Sequence, residues 1–192
     1  MTTHVISVHG FNIYDAGKNT VAKILPYFEQ QGCTTEVFNY GYFNLFNPRW
    51  RNQKIADKLS KRVRELNEQN IDVVIVAHSN GCTITHETHD CVINNAVYIN
   101  PALDRWRVFP DTIQRAQVWY SPSDRTLWLA KILPFHPLGA MGAFGYMGKF
   151  DPRIKNYNKQ HDYPISSKGH SDVFEDGKLH YFAQHIIKEA LR

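Results

Sequence analysis

Cysteine is scarce in this chain. Only three of its 192 residues, Cys33, Cys82 and Cys91, carry a thiol. An odd number without metal-ligand spacing excludes a disulfide scaffold and points to free thiols in a reducing, cytoplasmic compartment. Long apolar runs are missing as well. None approaches the roughly 18–20 residues that a membrane span needs, and the start MTTHVISVHGF has neither the basic opening nor the small-residue cleavage site of a signal peptide. Charge of one sign is not in large excess, at a net +4. Part of that excess sits in RWRNQKIADKLSKRVR, where Arg49, Arg51, Lys54, Lys58, Lys61, Arg62 and Arg64 face a single Asp57. A solvated helix face accounts for it better than an acidic partner does. No aromatic-interleaved basic stripe or zinc-finger spacing supports a nucleic-acid partner. Repeats, linkers and charged tails are absent too. With 43% hydrophobic and 21% charged residues, the composition is that of one ordinary globular domain over 1–192.

What is present alternates. Short β-branched runs at 4–8, 35–40, 72–77, 95–100, 116–120 and, more weakly, 154–159 predict strands. The run DVVIVA is the clearest, because a strand buried on both faces has to be apolar throughout. Helical patterns lie between them. One covers 19–31, with Pro26 either kinking it or marking a late start. Another covers 52–69, where Ile55, Leu59, Val63 and Leu66 fall at helical spacing. The last covers 178–191, with Leu179, Phe182, Ala183, Ile186, Ile187, Ala190 and Leu191 on one stripe. This order predicts an α/β fold: a mostly parallel sheet of about six strands, with right-handed crossover helices on both faces.

Two stretches break the alternation. Segment 41–50, GYFNLFNPRW, is aromatic-rich. Segment 133–150, LPFHPLGAMGAFGYMGKF, places a glycine at every third position from Gly139 to Gly148. Too short for collagen and without proline between its glycines, it reads as a flap over a substrate or as a packed loop.

The strongest local signal is DVVIVAHSNGC. A buried strand ends at Ala77, His78-Ser79-Asn80-Gly81 follow, and a helix begins. A turn this tight needs small residues two places before and two places after the serine, because backbone crowds there, and Ala77 and Gly81 supply them. The pattern is A-x-S-x-G where G-x-S-x-G is usual, a sterically mild departure.

With HGF after the first strand, AHSNG after the third, SPSD after the fifth and GHSDVF before the last helix, the chain resembles the α/β-hydrolase superfamily over most of its length. The resemblance implies a minimal version of that fold and a serine hydrolase of small esterase or lipase type. It implies a triad in the chain order Ser79, Asp124, His170. The chemistry requires such a set: a hydroxyl is a poor nucleophile until a base takes its proton, and the base is an imidazole held in one tautomer by a carboxylate. Among ten histidines, His161 is the nearest rival to His170. His180 and His185 sit on the terminal helix, and His78 flanks the serine but points away from the tip. Asp104, in NPALD, is the rival acid. The oxyanion hole implied is the backbone N–H of Asn80 with that of Phe11, where Gly10 lets the chain turn inward.

Phe43, Phe46, Phe135, Met141, Phe144 and Met147 are the candidate walls of a pocket for an apolar acyl or alcohol group. The expected partner is a small-molecule acyl substrate, with no cofactor and no nucleic acid. HETHD, at 86–90, lacks the H-E-x-x-H spacing of a zinc protease and reads as a solvated helix face, so no metal is expected. An amidase, peptidase or thioesterase would use the same triad, and a binding protein could keep the scaffold without turnover.

Overall fold

Six strands form a single sheet: β1 (Thr3–Val8), β2 (Thr34–Val37), β3 (Asp72–His78), β4 (Asn95–Ile99), β5 (Ala116–Tyr120) and β6 (Ile154–Asn158). The computed structural model describes residues 2–11, 13–42, 50–130, 139–162 and 169–192, without the side chains of 50 and 128–130. The strand order is β2-β1-β3-β4-β5-β6, and every pairing is parallel. Parallel neighbours cannot be joined by a hairpin, so each connection crosses a face of the sheet. The helices are α1 (Leu25–Glu29), α2 (Trp50–Asn67), α3 (Asn80–His86), α4 (Arg125–Ala130), α5 (Met141–Phe144) and α6 (Asp176–Ala190).

Alternation along the strands divides the core in two. Ile6, Val8, Val73, Ile75, Ala77, Ala96, Tyr98 and Val118 pack on one side, with Ile55, Leu59, Val63 and Leu66 of α2 and Cys82 and Ile84 of α3. Val5, Val74, Val76, Val97, Ile99 and Trp119 pack on the other, with Leu25 and Phe28 of α1 and Leu179, Phe182, Ala183, Ile186 and Ala190 of α6. Both faces of β3 are therefore covered, as its unbroken apolar run requires. The outermost strands differ. β2 (TTEV) and β6 (IKNYN) are polar and only partly buried, which blunts the two edges against further pairing.

Three elements depart from the sequence expectation. The pattern at 19–31 yields a 3₁₀ turn, Val21–Ile24, and then α1, which starts late with Pro26 in its first turn, where a missing N–H costs no helical bond. β2 stops at Val37 because the chain turns over the end of β1. Phe38 N–H still donates to Ser7 O at 3.0 Å, whereas Tyr40 stacks on His9 with ring centroids 4.0 Å apart. Leu191 falls off the α6 stripe and is half-exposed beyond the helix end.

The part of the glycine-rich stretch that is described, 139–150, packs against the chain leaving β4 and β5. Met141 N–H donates to Leu103 O at 2.9 Å, Gly142 N–H to Pro101 O at 2.9 Å, and Gly142 O accepts from Ser121 N–H at 2.9 Å. A Cβ on Gly142 would stand 2.6 Å from the carbonyl carbon of Asn100, so this approach admits only glycine. Among the described residues the three cysteines are free, Cys82 and Cys91 being buried, and no helix is long and apolar enough to cross a membrane.

Phe182 carries much of the α6 contact: it is fully buried and meets Trp119 edge-on with centroids 5.1 Å apart. Phe182→Ala should cost about 3–5 kcal/mol through lost burial and a residual cavity. Urea denaturation should show this as a lower midpoint at unchanged slope.

Candidate active site

The order of the strands reverses between β1 and β3, and the crevice at their carboxyl ends is where open parallel sheets place ligands. Ser79 sits there. It directly follows β3 and caps α3 with φ 54° and ψ −121°, a backbone region that an L-residue enters only under strain. The surroundings hold it. Ser79 N–H donates to Ile99 O at 3.0 Å, and Ser79 O accepts from Cys82 N–H at 3.1 Å and Ala102 N–H at 3.2 Å. The small neighbours named from the sequence have concrete reasons. A Cβ on Gly81 would lie 2.3 Å from Val8 O and 2.6 Å from His9 O, so this turn of α3 rests on the end of β1. A Cβ on Gly10 would lie 2.8 Å from the Ser79 Cβ, so the HGF turn runs directly beside the serine.

Asp124 and His170 are in contact. His170 Nδ1 is 2.6 Å from Asp124 Oδ2. A carboxylate only accepts, so Nδ1 carries a proton, and in the neutral imidazole the lone pair is then on Nε2. Asp124 is completely buried, and a buried charge is tolerable only when paired and hydrogen-bonded. It meets that condition: Asn100 Nδ2 donates to Oδ2 at 2.7 Å, and Leu127 N–H donates to Oδ1 at 3.2 Å. Asn100 adopts φ 47°, the left-handed conformation that asparagine tolerates better than most residues.

Two buried side chains hold the peptide that carries the imidazole. His78 lies 4.7 Å from His170, ring centroid to centroid, and its Nε2 donates to His170 O at 3.1 Å. Burial, with the neighbouring His170 second, keeps the His78 pKa far below the ordinary histidine range, so it is neutral. Lys159 Nζ donates to Gly169 O at 3.0 Å. The rivals lie elsewhere. Asp104 is exposed and accepts from Trp106 N–H in its own turn, and His161, His180 and His185 are exposed.

The remaining candidates divide. Asn80 opens α3, and its side chain forms a reciprocal amide pair with Asn52 of α2, at 3.2 and 3.1 Å. Phe11 is half-buried against the core. Of the pocket residues, Met141 lies wholly inside the core, Phe144 is half-buried under the Arg105 guanidinium at 5.1 Å, and Met147 is partly exposed. Phe43, Phe46 and Phe135 lie outside the described residues. HETHD is not a solvated helix face. α3 ends at His86, which is buried against Phe109, bonded through Nε2 to Val108 O at 3.0 Å, and pushed down to about 4 by burial. Among the described residues no cluster of three or more His, Cys, Asp or Glu could hold a metal ion.

Asn52, Asn100 and Lys159 were not named from the sequence. Asn100 and Lys159 left one trace, as the last residues of the predicted fourth and sixth strands, where a polar side chain reaches the carboxyl edge.

The described architecture is the α/β-hydrolase fold. Over 97% of this chain and 99% of the other, it matches a Xanthomonas campestris protein placed in the alpha/beta hydrolase superfamily, at 14% identity and a TM-score of 0.57. SOBER1 of Arabidopsis thaliana matches over the full length of both chains, at 14% identity and 0.57. An extracellular alpha/beta-hydrolase from a Paenibacillus species matches over 99% of this chain and all of its own, at 13% identity and 0.55. Neither known family patterns nor curated sequences give a match.

Glycine relieves the strain at position 79 and alanine does not. Ser79→Gly should therefore be more stable than Ser79→Ala by about 1 kcal/mol, after allowance for the extra freedom of unfolded glycine, as read from their denaturation midpoints.

Proposed function

We propose that the chain is a serine hydrolase that cleaves an ester-type acyl bond through an acyl-enzyme, with Ser79 as nucleophile, His170 as base and Asp124 as its orienting carboxylate. The observation that carries this reading is the 2.6 Å contact between His170 Nδ1 and a buried Asp124, at the sheet edge where Ser79 stands on a strained turn. Position and strain together are the mark of a nucleophile rather than of a packing serine.

The steps follow from the arrangement. His170 Nε2 takes the Ser79 proton as Oγ attacks the acyl carbonyl carbon, and the carbonyl oxygen becomes an oxyanion. Backbone N–H groups of Asn80 and Phe11 receive that charge. The imidazolium, stabilised by Asp124, hands its proton to the leaving alkoxide, and an acyl-serine remains. Water attacks it by the same route, with His170 again first base and then acid, and the carboxylic acid departs. Phe144 and Met147 stand as pocket walls for an apolar acyl or alcohol group, whereas the described part of the glycine-rich stretch, 139–150, is packed loop rather than flap. A small-molecule ester and a cytoplasmic setting fit the free thiols. The reading needs no cofactor and no metal.

A fluorophosphonate probe tests the assignment. Covalent labelling of Ser79, lost in Ser79→Ala, is expected together with hydrolysis of short p-nitrophenyl esters. Absence of both would leave a binding protein on this scaffold. Asp124→Asn should lower kcat by on the order of 10⁴, while Asp104→Asn should leave it within a factor of about two because the exposed Asp104 touches none of these groups. Hydrolysis should fall on acidification, since a protonated imidazole accepts nothing. A rate unchanged in His170→Ala would exclude His170 as base.

A further inference from the structure

Lys159 is the one lysine among the described residues that is fully buried, and the catalytic steps above make no use of it. It follows β6 directly, and its backbone N–H donates to Tyr120 O at 2.9 Å, extending the ladder to β5 by one residue. Its side chain runs beneath the turn that carries His170. Nζ donates to Gly169 O at 3.0 Å and lies 3.7 Å from Asp172 Oδ1. The carbonyl of the next residue, His170, accepts from the buried His78. Two successive peptides, one on each side of the imidazole-bearing Cα, are thus gripped from inside the protein by one donor at the end of β3 and one just past β6.

The charged and titratable groups that face Lys159 come from every neighbouring element. Asp172, from the 3₁₀ turn Asp172–Phe174, and Asp124, after β5, attract it, and Lys178 of α6 opposes it. Lys178 shares the same partner, with Nζ 3.4 Å from Asp172 Oδ2. The neutral His78 of β3 also feels the ammonium, which helps to hold it unprotonated.

We propose that Lys159 is a positioning residue for His170: its ammonium, bound to the Gly169 carbonyl and drawn to Asp172, clamps the turn 169–172 so that the imidazole stays against Asp124, and neutralising that ammonium releases the clamp. Its effect on turnover rests on the triad reading above, whereas its effect on the His170–Asp124 contact does not.

Keeping Lys159 charged is costly. Burial lowers the Lys159 pKa from 10.5 to about 8, with Asp172 and Asp124 opposing the fall. The folded value lies below the unfolded one, so the folded state binds fewer protons than the unfolded state between about pH 8 and 10.5. Stability therefore rises with pH through that window, and below it the protein carries the full penalty of a buried charge. A methionine of similar volume would avoid the penalty. A charge kept at such a cost beside a triad is better explained by what it holds in place than by stability. The clamp also has a defined range: as pH rises through about 8 the proton is lost and the attraction to Asp172 goes with it.

The test uses the full chain as wild type, Lys159→Met and Lys159→Arg, each checked for folding by circular dichroism. The first readout is the low-field NMR resonance of the His170 Nδ1 proton, which reports the contact with Asp124 without any substrate. It should be present in the wild type at pH 7 and fade as pH passes about 8, be absent in Lys159→Met throughout, and persist to higher pH in Lys159→Arg, whose guanidinium stays charged. The second is kcat and KM for a p-nitrophenyl ester between pH 6 and 10. In Lys159→Met, kcat should fall by about tenfold or more with KM little changed, the pattern of lost transition-state alignment. The wild type should show an alkaline decline near pH 8 that Lys159→Arg lacks. A resonance that survives in Lys159→Met overturns the proposal. So does one that fades at the same pH in wild type and Lys159→Arg, and this comparison decides the matter if Lys159→Met does not fold. If no ester is hydrolysed and Ser79 is not labelled, the triad reading fails, and the resonance still decides whether Lys159 holds His170.

Discussion

A serine at φ 54° and ψ −121° does not hold itself there. Strain of this kind costs about 1–3 kcal/mol and persists only where surrounding structure over-determines the backbone. Here the over-determination comes from the sheet. β3 is central, paired with β1 on one side and β4 on the other, and the chain leaving it is pinned through Ile99 O and Ala102 N–H, both at the carboxyl end of β4. On the opposite flank the end of β1 presses against Gly81, and Gly10, just past β1, lies against Ser79 itself. The six-stranded parallel core acts as the frame that keeps one backbone turn sharp enough to present a side chain.

A second constraint is the buried carboxylate. Asp124 has no access to water, so its charge depends on donors that the fold brings from three separate places: Asn100 at the end of β4, Leu127 in α4 and His170 before α6. Deleting one donor would leave the charge underpaired in a low-dielectric setting, where such losses are most severe. The 139–150 segment belongs to this arrangement too. Gly142 lies against the backbone of Asn100 and accepts from Ser121, three residues before the acid. What reads as a glycine-rich loop in the sequence is, over its described part, packing behind the acid.

The central strands were legible because burial on two faces leaves only one composition open to them: after their first residues, Asp72 and Asn95, the runs VVIVA and AVYI are unbroken by charge or amide. Helices α2 and α6 were legible from their stripes. The ends were not. β2 halts early because Tyr40 is drawn over β1, a tertiary preference with no local mark, and α1 begins late because a proline is free to sit in a first turn. Ser79, Asp124 and His170 stood out because each follows or precedes an element in a small, recognisable turn. Asn52, Lys159 and the grip of His78 on His170 left no such sign. Their partners are distant in sequence, and a lone lysine or asparagine in a polar stretch reads as surface. His86 shows the converse, since a motif that looked solvated is buried where α3 stops short.

Every strand pairing in this sheet is parallel, and each therefore closes a long loop of chain before it gains a contact. Such topologies form slowly relative to hairpin-rich ones. The order of the chain adds a sequence of events to that slowness. β1, β3 and the turn at Ser79 lie within the first 80 residues, whereas the acid comes after β5 and the imidazole only after β6. A growing or refolding polypeptide thus passes through a stage in which the serine turn has its neighbours β1 and β3 while His170 has yet to meet Asp124, a contact that waits on the last stretch of the chain.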